Sequence, residues 1–198
     1  PFRLPLLMLG FAALASGVLA GLARLGWNVP LSMAELAPLH GPLMVSGFLG
    51  TVIGLERAVA MGRRWAYVGP LLTGLGSLSI LAGFPPAIGA AAVTLGSVVL
   101  FTGTALLMLR QRELFMATMT LGALSWLAGN LLWLAGTPLQ GVVALWINFL
   151  VLTIAGERLE LSRFLPPSPV AERTFAGILV ALLAGGFLTG HPAGVTLY

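Results

Sequence analysis

Long apolar runs, separated by short turn and charge signals, constrain this sequence more than any other feature. A helix that crosses a membrane needs about 20 predominantly apolar residues. Runs of that length fill most of the chain, which is 58% hydrophobic and only 8% charged. A water-soluble domain needs more charge to cover its surface. The sequence therefore predicts an all-α fold, a polytopic bundle of transmembrane helices with lipid as its solvent.

Seven candidate spans follow from these runs. The breaks between them are rich in Gly, Pro or charge: WNVP, MGRRW, GFPP, RQRE, AGTP and RFLPPSP. The predicted spans are residues 4–25, 34–60, 65–83, 87–109, 114–135, 139–162 and 172–190. The third is short and rich in Gly and Ser, so it is the weakest of the seven. We expect a single transmembrane domain over residues 1–198; the N-terminal part of a longer chain is an alternative.

The arginines predict the orientation. All ten basic residues are arginine, and an N-terminus on the inner side leaves only Arg24 outside. Because membrane proteins keep Lys and Arg on the cytoplasmic side, this pattern predicts a multi-pass protein of the cell (inner) membrane. The net charge of +4 then reflects topology and lipid contact, not a nucleic-acid partner. Residues 4–25 would alternatively be a signal peptide, which leaves the orientation of the other spans unchanged.

The second predicted span begins with LHGPLM, which contains one of the two histidines. His40 lies near the predicted outer end, and Met44 follows four residues later, so imidazole and thioether share one helix face. Such a histidine either forms a hydrogen bond at the lipid interface or ligates a metal or haem. His191, in TGHPAG, falls on the same predicted side as a second ligand or as part of a solvated turn. The span also carries Gly41, Gly47, Gly50 and Gly54. These leave a thin face for a neighbouring helix or a flat cofactor.

The stretch HGPLMVSGFLGTVIG resembles the second helix of haem-copper oxidase catalytic subunits, in which an HGxxM histidine ligates the low-spin haem. It is more similar still to NnrS-type polytopic membrane proteins, which are related to nitric oxide metabolism and described as haem- and copper-containing. The similarity is strongest over residues 39–57. It implies that His40 ligates haem b, or alternatively copper, with Met44 in the same pocket.

The departures from these families matter as much as the likeness. The oxidases' copper-site histidines and cross-linking tyrosine have no counterpart in this sequence, so full oxidase chemistry is not expected. Both families also have more spans and further histidines. The resemblance therefore implies missing C-terminal helices, or other membrane subunits that complete the coordination.

The second and sixth predicted spans end in the same way. GFLGTVIGLER and NFLVLTIAGER match at Phe, Leu, Ile, Glu and Arg without a gap. A glutamate near the hydrocarbon boundary is costly unless an arginine pairs with it. We expect structural ion pairs that join these two spans at the inner face. The residues concerned are Glu56, Arg57, Glu157 and Arg158. A proton relay is the alternative, but the second span has no ionisable group between its histidine and its glutamate.

Polar residues within the spans are few. Most Ser and Thr side chains are expected to bond back to their own helix. Asn130 and Asn148 lie on consecutive antiparallel spans, and a buried amide needs a partner. A packing hydrogen bond is the first interpretation, and a polar pocket shared with His40 is the alternative.

Two functional hypotheses remain. The chain has no cysteine, phosphate-binding loop, His-Glu metal motif or serine nucleophile with a base, which excludes the chemistry that depends on them. The first hypothesis is an integral membrane haem- or copper-binding protein linked to respiratory redox or nitric oxide metabolism. The second is a non-catalytic accessory subunit within a larger membrane complex. A solute transporter ranks last, because the spans lack an intramembrane acid.

Overall fold

The computed structural model describes residues 3–162, 164 and 168–187, and every regular element in this part of the chain is helical. A chain in hydrocarbon must satisfy its backbone amides internally, which helices do. Seven long helical segments lie close to the seven predicted runs. They are α1 (Arg3–Arg24), α2 (Ala37–Met61), α3 (Val68–Leu81), α4 (Pro86–Arg110), α5 (Leu114–Leu134), α6 (Leu139–Ser162) and α7 (Pro169–Phe187).

Five of these helices are long and apolar enough to cross a membrane, namely α1, α2, α4, α5 and α6. The predicted all-helical membrane class is therefore confirmed in this coarser form. The third run is the short one, as its composition indicated: α3 has 14 residues and follows a 3-10 turn at Arg64–Tyr67. Seven spans and an inner N-terminus stay predictions.

The predicted glycine turn signals coincide with helix ends. Gly83 ends α3 with a φ of +80°, a conformation that costs a residue with a Cβ roughly 1–2 kcal/mol. Its N–H bonds to the Ile80 carbonyl at 3.0 Å, and the Phe84 N–H reaches the Ser79 carbonyl at 3.0 Å. This pair of bonds satisfies the last carbonyls of the helix. Similar glycines follow α1 and α5.

The described residues divide into two compact units. The first comprises those of Pro1–Gly103 and Trp133–Gly136, and the second those of Thr104–Leu132 and Thr137–Tyr198. The boundaries fall within α4, near the end of α5 and in the loop between α5 and α6. The expectation of one domain over residues 1–198 stays a prediction.

Small residues bring the helices of the first unit together. A Cβ on Gly74 of α3 would lie 2.9 Å from Leu9 of α1, and one on Gly76 would lie 2.9 Å from the Gly89 carbonyl of α4. The buried residues of α1 are Leu6, Gly10, Ala13, Gly17 and Ala20. α1 therefore packs against the rest of the unit through small residues; a retained helix over residues 4–25, with a signal peptide as its alternative, stays a prediction.

Aromatic side chains fill the second unit. Trp126 of α5 stacks on Phe149 of α6, with ring centroids 4.8 Å apart and planes 12° from parallel. Both rings are buried, Trp126 at 1% exposure and Phe149 at 0%. Gly122 and Gly156 let the two helices approach closely: a Cβ on Gly122 would be 3.1 Å from Leu152, and one on Gly156 would be 2.5 Å from Met119. Stacked rings of this kind stabilise by about 0.5–1.5 kcal/mol beyond their buried area.

Hydroxyl side chains mostly bond back to their own helices, as predicted. Thr94 donates to the Ala90 carbonyl at 2.7 Å, and Thr120 donates to the Met116 carbonyl at 2.8 Å. Each bond gives a buried hydroxyl an acceptor on its own helix, so the hydroxyl needs no partner on a neighbouring helix. These residues therefore define no polar pathway.

Candidate functional site

The candidate histidine lies at the start of α2, where the backbone is irregular. A 3-10 turn at Ala37–Leu39 leads into an α-helical turn at His40–Pro42, and Leu43–Leu49 then forms a π-helical segment. Pro42 has no N–H, and it stands within the first turns, where its missing hydrogen bond costs least. π-helical segments inside helices are rare and occur frequently at functional sites. The sequence indicated a helix here but not this widened part.

The imidazole of His40 has a defined partner on the first helix. Its Nδ1 lies 2.7 Å from the carbonyl oxygen of Gly17 in α1. A carbonyl oxygen only accepts hydrogen bonds, so Nδ1 carries the hydrogen and donates it. In the neutral ring Nε2 then holds the lone pair. The half-buried side chain is therefore fixed in one tautomer with its second nitrogen available as an acceptor or ligand.

Two glycines of α1 provide the space that His40 and Met44 occupy. A Cβ on Gly21 would lie 2.8 Å from both Cε1 and Nδ1 of His40. A Cβ on Gly17 would lie 2.9 Å from the sulfur of Met44. Real side-chain carbons do not approach other atoms so closely, because packed interiors leave no such overlap. The predicted shared face of imidazole and thioether is thus packed against α1.

The sequence did not indicate that these two α1 glycines belong to the site; the glycines of the second span were the predicted ones. Gly17 and Gly21 form a GxxxG pair, in the stretch GVLAG, which was the available signal. Such pairs let membrane helices approach closely. The motif alone does not show which helix approaches, so its connection to His40 emerges only from the tertiary structure.

The glycine face of α2 packs against neighbouring helices at the positions where its surroundings are defined. A Cβ on Gly47 would lie 2.5 Å from the Ser77 oxygen of α3 and 2.9 Å from Cβ of Ala13 in α1. At Gly54 the nearest neighbour is Pro70 of α3, at 3.4 Å. Neighbouring helices therefore contact this face at Gly47 and Gly54, and a flat cofactor against it stays a prediction.

The remaining ligand candidate, His191, lies outside the described residues. No group of three or more His, Asp or Glu side chains that would hold a metal ion occurs in the part of the chain that the structure describes. Within that part, the candidate site therefore consists of the His40 imidazole, the Met44 thioether and the α1 groove. The role of His40, Met44 and His191 in cofactor binding stays a prediction.

The inner end of α2 carries an ion pair. The Arg57 guanidinium lies 3.4 Å from the carboxylate of Glu56, the residue before it; the Arg57 side chain is 12% exposed and that of Glu56 56%. A pair this exposed on one side contributes little, about 0–1 kcal/mol. Glu157 is half-buried and Arg158 exposed on α6, in the second unit. The expected pairing between the second and sixth spans stays a prediction.

The buried amide Asn130 has an indole partner. Nε1 of Trp146 donates to the amide oxygen at 3.1 Å, linking α6 to α5, and both residues are buried. This is a packing hydrogen bond, which was the first interpretation, although its partner is a tryptophan of the next span. Asn148 is also buried. A pocket shared between these amides and His40 stays a prediction.

Comparison with known proteins places the chain in one family. It belongs to DUF8744, described as a domain of unknown function, whose family model matches residues 3–197. No curated protein and no solved structure matches the chain significantly. The resemblance to NnrS-type proteins and to the second helix of haem-copper oxidases therefore stays a prediction.

Proposed function

We propose that this DUF8744 protein is an integral membrane protein that binds haem b or copper through His40 and serves respiratory redox or nitric oxide metabolism. The observation that carries the proposal is the 2.7 Å bond from His40 Nδ1 to the Gly17 carbonyl. Histidines that ligate metals almost always donate their other ring N–H to such an acceptor, which fixes the tautomer. An imidazole held in this way has Nε2 prepared as a ligand atom.

The surroundings of the ring fit this role. Its Nδ1–Cε1 edge packs against Gly21, and Nδ1 is bonded to the Gly17 carbonyl, so Nε2 is the ring nitrogen left for a ligand. A bound haem or copper would supply one-electron chemistry. His40 would hold it through Nε2, and the hydrogen bond to the Gly17 carbonyl of α1 would orient the ring.

The packing of the thioether supports copper over haem at this groove. Met44 places its sulfur beside Gly17, in the groove that also receives His40. Thioether and imidazole together suit Cu(I), because sulfur is a soft ligand. A haem would need a flat slot, and the face that offered one is closed by Ser77 and Ala13 at Gly47.

The proposal includes a topology of seven spans with the N-terminus inside, which sets His40 at the outer face of the inner membrane. It rests on the nine-to-one distribution of arginines and on five membrane-length helices. Single cysteines in the loops would test it, because the natural chain has none. Arg64→Cys should be labelled by an impermeant thiol reagent only from the inner side, and Pro85→Cys only from the outer side. Outer labelling of Arg64→Cys would overturn the topology.

A second candidate function is a non-catalytic accessory subunit within a larger membrane complex. It is favoured by the small number of ligands, since the described residues contain no metal-holding group of three or more His, Asp or Glu side chains. Under this candidate, the close packing of α1 on His40 serves helix association alone. Under the first candidate, His191, missing C-terminal helices or another membrane subunit completes the coordination.

Cofactor content of the purified protein distinguishes the two. The protein is extracted in mild detergent and assayed for a Soret band and for copper by elemental analysis. We expect the wild type to carry one of the two, and His40→Gln to lose it. Met8→Leu is the matched control, because Met8 is 64% exposed on α1 and remote from the groove by its place on the opposite face.

Met44→Leu separates copper from haem. A copper site that uses the thioether should lose copper in Met44→Leu and keep it in Met8→Leu, whereas a haem ligated by His40 should remain. Wild-type protein with neither a Soret band nor copper would overturn the proposed cofactor and favour the accessory subunit. Full cofactor content in a folded His40→Gln variant would overturn the assignment of the ligand.

A further inference from the structure

We infer that α1 is the positioning half of the His40 site: the Gly17 carbonyl fixes the tautomer of the ring, and the missing side chain of Gly21 admits it. This inference rests on the proposed function in one respect, that the lone pair left on Nε2 is used for ligation. The tautomer itself is a property of the chain and does not depend on any cofactor.

The contacts assign different tasks to the two glycines. Gly17 contributes its backbone oxygen, 2.7 Å from Nδ1 of His40. Gly21, one turn further along α1, contributes space, because a Cβ there would lie 2.8 Å from Cε1 and Nδ1 and 3.5 Å from Cγ. These ring atoms are rigid, so a methyl group at Gly21 would displace the whole imidazole. The hydrogen bond to Gly17 would be lost with it.

The tautomer matters because a histidine can ligate a metal only through an unprotonated nitrogen. A ring that rotated freely would expose either nitrogen, and would have to be ordered when the metal bound. With Nδ1–H donated to the Gly17 carbonyl, Nε2 of the neutral ring already carries the lone pair. Outer-shell partners of this kind typically alter metal affinity by about 10- to 100-fold when they are lost.

The first experiment reads the tautomer directly. Wild-type protein labelled with 15N-histidine is examined by NMR in detergent at a mildly alkaline pH, at which imidazole side chains are neutral. The His40 signals are assigned by their disappearance in His40→Gln. We expect the ring to be protonated at Nδ1 and unprotonated at Nε2, and protonation at Nε2 instead would overturn the inference.

The second experiment compares two glycine variants of the same helix. Gly21→Ala should abolish the Nδ1–H signature and weaken Cu(I) binding by about 10- to 100-fold in competition with a chromogenic chelator. Gly10→Ala is the matched control, because a Cβ there would meet Val52 and Thr51 at 3.5–3.6 Å, an ordinary contact. It should keep both the tautomer and the affinity. An unchanged His40 spectrum in folded Gly21→Ala would contradict the inference.

These outcomes separate the inference from the proposed function. If wild-type protein binds neither Cu(I) nor haem but shows the Nδ1–H tautomer, lost in Gly21→Ala and kept in Gly10→Ala, the proposed function fails and the positioning by α1 stands. If the protein binds a cofactor through a ring protonated at Nδ1 in every variant, the proposed function stands and the positioning by α1 fails. Should Gly21→Ala not fold, the wild-type tautomer still decides the inference.

Discussion

The two units of the protein both contain glycines at helix contacts, but they differ in the side chains that fill the space beside those glycines. In the first unit, glycines let helices approach so closely that no side-chain carbon would fit between them: a Cβ on Gly47 would lie 2.5 Å from the Ser77 oxygen. In the second unit, large rings fill the interval between α5 and α6, as in the stack of Trp126 on Phe149 at 4.8 Å. Helix association in a membrane depends on packing and hydrogen bonds, because lipid is as apolar as the side chains it surrounds. The difference teaches that an added carbon should harm tight glycines in either unit, Gly156 included, whereas removal of a large buried ring should harm the second unit most.

The largest loss of stability is expected in the second unit, where aromatic rings are buried. Trp126→Ala should lower the free energy of unfolding in detergent by about 3 kcal/mol. The indole is 1% exposed, and its removal would leave a cavity that the neighbouring side chains cannot fill completely. Trp27→Ala is the control, because that indole is 65% exposed in the loop after α1. Denaturation by SDS titration measures both. Equal losses in the two variants would contradict the comparison.

Adding one methyl group tests the packing of the first unit at its glycines. Gly47→Ala should destabilise by about 1–3 kcal/mol, the usual cost of overpacking, because Ser77 and Ala13 both lie within 3 Å of the new carbon. Gly54→Ala, whose nearest contact would be Pro70 at 3.4 Å, should be close to neutral. Unfolding curves of the two variants and of the double variant Gly47→Ala/Ser77→Gly decide the point. Ser77→Gly should restore part of the loss, and no recovery would show that space is not the cause.

The interhelical hydrogen bond of the second unit should have a smaller effect. Trp146→Phe keeps a ring but removes the N–H that reaches Asn130 at 3.1 Å. In membrane proteins such bonds average about 0.6 kcal/mol by double-mutant cycles. A cycle of Trp146→Phe with Asn130→Leu should give a coupling energy of that size. A coupling energy of zero would mean that the two residues only pack.

The smallest effect is expected at the hydroxyl pair of the first unit. The oxygens of Thr51 and Thr73 lie 2.9 Å apart, but the Thr73 hydroxyl also has acceptors on its own helix, the carbonyls of Gly69 and Pro70 at 3.3 and 3.1 Å. Thr51→Val therefore leaves no donor stranded and should cost less than about 0.5 kcal/mol. A loss larger than that of Trp146→Phe in the same SDS assay would reverse the ranking.

Much of the architecture was readable from the sequence. The apolar runs and the turn signals predicted the helices, because hydrocarbon admits no unsatisfied backbone and glycine with positive φ ends a helix. Gly83 is an example: it stands in a predicted break and ends α3 with a φ of +80°. The shared face of His40 and Met44 also followed from their spacing, because that relation is internal to one helix.

What the sequence did not reveal is which faces of different helices meet. A membrane helix is apolar all round, so periodicity does not distinguish the buried face from the lipid face. The partner of Asn130 illustrates this: the next span offered an asparagine, and the amide oxygen instead accepts from Trp146. The π-helical segment Leu43–Leu49 was equally hidden, because no residue pattern distinguishes it from an α-helix that contains glycine and proline.

The sequence by itself determined the helical class of this protein, the apolar runs that predict a membrane as its surroundings, and the face on which His40 and Met44 stand. Those properties depend on residues that are near one another in the chain and on the length of apolar runs. Only the tertiary structure decided that α1 meets that face, that the Gly17 carbonyl takes the Nδ1 hydrogen at 2.7 Å and that Gly21 leaves room for the ring. Close approach between helices depends on the rotation of each about its own axis. Because these helices are apolar on every side, hydrophobicity does not fix that rotation. Contacts at glycines, stacked rings and single hydrogen bonds fix it instead.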